Sequence, residues 1–70
     1  MELTNEEKQN IVNQHIRSIV TNLYNLEISL IAEQAVQSPR ESVVTTLNSE
    51  VAQETLRYNA LLTELQSLNS

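Results

Sequence analysis

The sequence predicts an all-α fold, an antiparallel two-helix hairpin that dimerises into a four-helix bundle, and three observations carry that expectation. The 70 residues hold no Gly and a single Pro, so the usual breakers of helices are nearly absent. All nine acidic residues are Glu, which suits helix interiors because Glu loses little rotamer freedom there while Asp competes for the backbone. Apolar side chains recur at alternating steps of three and four in two long stretches, the heptad-like period of helices packed along a seam. One domain over residues 1–70 is expected, with a helix over about 5–37, a break at 38–39 and a second helix over about 39–68.

The first helix opens at Leu3-Thr4-Asn5-Glu6-Glu7. Thr4 caps with its hydroxyl, Glu7 reaches back to the Thr4 amide three residues earlier, and Glu6 and Glu7 suit the positive end of the helix dipole. From there Val12, Ile16, Ile19, Leu23, Leu26 and Leu30 fall on one seam. The pattern fades at Glu33 and Gln37, and Ser38-Pro39-Arg40-Glu41 supplies a second start, with Ser as the cap, Pro in the first helical position and Glu three residues after the cap. The second seam runs through Val44, Leu47, Val51, Glu54, Tyr58, Leu61, Leu65 and Leu68, interrupted only by Glu54. Two rods of matched length joined by a short break favour a hairpin. The alternative is one long helix kinked at Pro39, because a proline can kink a helix and no Gly marks a C-cap before it. A hairpin folded near Gln37 to Pro39 sets Leu23 against the neighbourhood of Glu54 and Ile19 against that of Tyr58.

Two seams do not use all the apolar side chains. Val20, Tyr24, Ile28, Ile31 and Ala35 form a second stripe on the first helix, and Leu56 lies roughly opposite the seam of the second. A two-helix hairpin covers one seam per helix, so this surplus calls for another chain, most simply a second copy with twofold symmetry. The first turns (Glu6, Glu7, Lys8, Gln9, Asn10) are polar nearly all round, which places the self-association face near the turn. A chain this short buries only about 60 % of the surface its unfolded form exposes, so a lone core is marginal.

Composition excludes several classes. No cysteine is present, so no disulfide staples the fold. Apolar runs extend to two or three residues, as in Leu30-Ile31-Ala32, far short of the roughly 20 that cross a bilayer. No basic-then-apolar leader opens the chain, and a soluble, cytoplasmic protein with no membrane partner is expected. The net charge is −5, and the cations Lys8, Arg17, Arg40 and Arg57 are scattered. That pattern does not suit phosphate contacts, so no nucleic-acid partner is expected. Twenty-seven residues are Asn, Gln, Ser or Thr, but they interleave with the apolar repeat, which argues against disorder.

Candidate chemistry is sparse. His15 is the sole histidine, at the edge of the first seam. Positions 11, 12, 18 and 19 hold Ile, Val, Ser and Ile, so neither metal-binding helical spacing is present. Glu54 and Glu27 could be read as paired carboxylates for acid–base work, but the expected register puts Glu27 opposite Ser49 and Glu50. A register-setting role for Glu54, with Arg57 as partner, is the plainer reading. Tyr58 packs in the seam, whereas Tyr24 lies on the second stripe, where a partner would bind. No catalytic residue, cofactor or metal is expected, and the chain is not expected to be an enzyme.

The stretches Leu3-Thr4-Asn5-Glu6-Glu7-Lys8 and Tyr24-Asn25-Leu26-Glu27-Ile28-Ser29-Leu30-Ile31-Ala32-Glu33 resemble the small uncharacterised proteins of T-even-like marine cyanophages. The resemblance covers the first half of the chain and the Ser38-Pro39 break, and its motifs are generic for helices. It implies a phage accessory protein in the host cytoplasm, or a small part of the particle, with no activity or site residues to transfer. In architecture the chain is also similar to small RNA-binding helical-hairpin dimers, but it lacks their basic face. The expected function is therefore a non-enzymatic protein–protein interaction module: an adaptor, inhibitor or assembly factor that pairs with itself and binds an unidentified protein. The alternatives are a structural component of a phage particle or other assembly, and an acidic mimic of nucleic acid.

Overall fold

The structure, a computed structural model, describes residues 2–69; the two ends of the expected domain, Met1 and Ser70, lie outside them. The chain forms two helices, α1 over Asn5–Gln34 and α2 over Glu41–Asn69, packed against each other as an antiparallel hairpin. At 30 and 29 residues they are matched rods, and the molecule measures 55 × 19 × 15 Å.

Helix α1 starts where the capping chemistry places it. The Glu7 amide donates to the Thr4 hydroxyl at 3.1 Å and the Thr4 amide donates to Glu7 Oε1 at 2.9 Å, a reciprocal capping box. The polar load sits comfortably on the rods. Hydroxyls of Thr21, Ser29, Thr46, Thr55 and Thr63 each donate to the carbonyl four residues earlier, so these groups are satisfied within their own helix.

The connection differs from the sequence expectation. Helix α1 ends at Gln34 instead of 37, and α2 begins at Glu41 instead of 39, so the break spans residues 35–40. The α1 C-cap is Ala35, whose amide donates to the Ile31 carbonyl at 3.1 Å. At the other side the Arg40 carbonyl, not that of Ser38, accepts the first amides of α2, from Val43 and Val44, both at 3.0 Å. Pro39 disfavours helical backbone at Ser38, and α1 stops four residues before that position. Glu33 then displaces the expected Ser38 cap by reaching across the turn. Its Oε1 accepts from the Arg40 amide and from Arg40 Nε, each at 2.9 Å, and its Oε2 accepts from Arg40 Nη2 at 3.1 Å. A charge-assisted, forked pair outweighs a neutral hydroxyl cap. The far end of α2, Asn69 against the expected 68, lies within the ordinary fraying of a helix terminus.

Every expected apolar seam residue, from Val12 to Leu30 on α1 and from Val44 to Leu65 on α2, is half-buried, Glu54 among them is buried, and Leu68 continues the line. Asn22, next to Leu23, bonds to Glu54 across the interface, which fixes the pairing within one residue of the expected register. Among the described residues no hydrophobic side chain is fully buried. The hairpin has a seam but no enclosed core.

Candidate functional site

Polar ties join the two helices at both ends of the hairpin and midway along the seam. Near the open end, Gln9 Nε2 donates to Asn69 Oδ1 at 2.6 Å and to the Leu68 carbonyl at 3.4 Å. At the turn stands the Glu33–Arg40 pair. Midway, Glu54 is the least exposed of the described residues, at 9 %. Its Oε2 accepts from Asn22 Nδ2 at 2.9 Å and its Oε1 from Arg57 Nη1. Those two hydrogen bonds hold the Glu54 carboxyl below its ordinary range, against the opposing effect of desolvation. Glu33 is held lower still, to about 2, chiefly by its side-chain hydrogen bonds from Arg40. The Glu7 carboxyl is lowered first by the Thr4 backbone amide. A carboxylate bonded through both oxygens and kept anionic sets register; it is poorly placed to donate a proton near neutrality.

Glu27 does not join Glu54. The two acids line different shallow grooves, on the two sides of the α1 seam. Glu54 borders a polar flank formed by Gln14, Arg17, Ser18, Thr21, Asn22 and Asn25. Glu27 sits at the rim of an apolar groove formed by Val20, Leu23, Tyr24, Leu30 and Val51. His15 is exposed beside Gln14 and Ser18. Among the described residues no group of three or more His, Cys, Asp or Glu is placed to hold a metal ion, and no helix is long and apolar enough to cross a membrane.

Most of the large apolar side chains that the structure leaves in water lie on the second stripe or just past its end, with Leu3, Ile11 and Leu56 exposed elsewhere. Val20, Tyr24, Ile28, Ile31 and Ala35 are all exposed, Tyr24 at 62 % and Ile31 at 57 %. Val36, in the turn, is also exposed, at 53 %; helical spacing did not single it out, because on a helix running to 37 it falls off the stripe, one residue past Ala35. Val20 and Tyr24 share their groove with seam residues Leu23, Leu30 and Val51, so stripe and seam are continuous on that side. Leu56 does not belong to the groove. Among the described residues it is the most exposed large apolar side chain, at 70 %, and by helical periodicity it faces away from the α2 seam.

Tyr58, by contrast, is half-buried in that seam. Among nine Glu residues, three carboxylates (Glu7, Glu33 and Glu54) are committed to internal bonds, which thins any array meant to imitate phosphates. No protein-family model matches the chain, and no curated protein or solved structure is significantly similar to it.

Proposed function

We propose that this chain works by binding protein, as a non-enzymatic helical-hairpin adaptor, inhibitor or assembly factor. The observation that carries the reading is the apolar stripe from Val20 on α1 to Val36 in the turn, exposed along one side of a hairpin that fully buries no hydrophobic side chain among the described residues. Burying one such side chain fully is worth about 1.5–3 kcal/mol, so covering the stripe with a second apolar surface is a substantial driving force. Contiguous apolar surface of this kind marks interaction sites, whereas singly scattered side chains do not. The disposition of the acids supports the same reading, since Glu54 serves the hairpin interface and Glu27 stands on the other side of the seam.

Photo-crosslinking tests it. Benzoylphenylalanine replaces Tyr24 on the stripe in one variant and Asn25 on the polar flank in another, in cells that make the chain naturally. Covalent protein adducts at position 24 and not at position 25 are expected, with adduct mass separating a second copy from a foreign protein. Equal labelling at the two positions, or none at 24, overturns the proposal.

A further inference from the structure

We infer that the apolar groove is closed by a second copy of this chain, lying alongside the first with its turn at the same end. The inference rests on the protein-binding reading above and names the occupant of that face.

The surface area sets the size of what is missing. The hairpin exposes 5514 Å², whereas a compact monomer of 7.9 kDa exposes about 4,400 Å² by the scaling of area with mass. The excess is about 1,100 Å² per chain. Two copies that each hide it share an interface of about 2,200 Å² in total, the size found in obligate homodimers. The flat projection of the rod's broad face, 55 by 19 Å, is about 1,000 Å², so hiding the excess takes a side-by-side contact along much of the rod and not a contact at one tip.

The distribution of side chains then fixes the direction. The stripe occupies the half of α1 nearest the turn, while the opposite half begins with Glu6, Glu7, Lys8, Gln9 and Asn10. Full-length overlap with the turns at opposite ends lays the stripe of each copy on those polar first turns. Full-length overlap with the turns together lays stripe on stripe, around a twofold axis parallel to the rods.

Charge permits this arrangement. Each chain carries −5, yet no Lys or Arg lies between Val20 and Pro39 and the acids there are Glu27 and Glu33. Glu33 is paired with Arg40, which leaves Glu27 at the groove rim as the single unpaired charge of the stripe. Like-charge repulsion within the stripe is therefore small.

The absence of cysteine makes a single label clean. Ser38→Cys, exposed in the turn, carries a nitroxide for pulsed electron–electron distance measurement, with mass followed by light scattering. The expected result is a species of about 16 kDa, twice the 7.9 kDa chain, and a distance well under half the 55 Å length of the rod. Adding Ile28→Glu and Ile31→Glu, both at exposed positions outside the seam, is expected to abolish the dipolar signal while helicity persists.

A distance near the full rod length overturns the shared-end arrangement. A monomeric mass, or a signal that survives the two glutamates, overturns the second copy as occupant. A monomer that still forms adducts with a foreign protein through position 24 leaves the protein-binding reading standing, whereas a monomer without such adducts removes both.

Discussion

Glu54 shows how much one side chain in this chain depends on its neighbours. It interrupts an otherwise apolar seam, and its cost of burial is offset by Asn22 from the opposite helix and Arg57 one turn along its own. Replacing it with leucine removes that cost, and Asn22, being exposed, can turn its amide to water. Glu54→Leu is therefore expected to raise the melting temperature and to broaden the distribution of oligomers, because the register-setting contact is gone. Sedimentation velocity beside thermal melting checks both parts; a lower melting temperature would show that the Asn22 and Arg57 bonds outweigh the apolar gain. Thr4→Ala removes the hydroxyl that caps α1 and is expected to cost about 1 kcal/mol, visible as faster amide exchange over Glu6 to Lys8.

Acid should weaken the same contacts in a defined window. The folded-state values of Glu33, Glu54 and Glu7 are all depressed, so each contributes stability above its ordinary value that is lost as pH falls. For Glu33 the window runs from the ordinary 4.5 down to about 2. Helicity is expected to hold from neutrality to the top of that window and to decline within it, and Glu33→Gln to flatten the decline. Because Arg40 is largely exposed, added salt should shrink the effect.

At the scale of the elements, what was legible in the sequence was whatever is encoded locally. The Thr4–Glu7 box spans three residues, and the two seams are periodic, so helix identity, the start of α1 and the hairpin pairing could be read without knowing the fold. The end of α1 and the start of α2 could not. Ser38-Pro39-Arg40-Glu41 has the spacing of a cap, but the actual tie is formed by Glu33 and Arg40, seven residues apart, and exists only once the chain has turned. Asn22 was invisible as a partner for the same reason: nothing in its neighbours marks it until α2 is laid beside it.

The seam itself can be tested at its centre. Leu23→Ala is expected to cost about 2 kcal/mol, the lower end of the range for leucine truncation, because the side chain is half-buried and the site partly open to water. Denaturant unfolding measures it, and an unchanged midpoint would mean that Leu23 bears no packing load.

Considered as a whole molecule, the hairpin is a rod with a Cα radius of gyration of 16.2 Å, against about 11 Å for a compact domain of its length. Elongation leaves each helix with one packed side, and two helices of this length hold a seam without closing a core. Val20 and Tyr24 join the stripe to that seam through the groove at Leu23, Leu30 and Val51, and the proposed association would make the stripe the other half of one hydrophobic interior. The first turns of α1 and the outward Leu56 lie outside it.

The most direct measurement of this account is the melting of the chain, by circular dichroism, across a hundredfold range of concentration, alongside the variant carrying Ile28→Glu and Ile31→Glu. If the stripe completes the core by association, the melting temperature of the unsubstituted chain rises with concentration while that of the variant is lower and constant. A sharp melt at one temperature throughout the range, shared by the variant, would contradict the account, because the hairpin would then be complete without anything covering its exposed face.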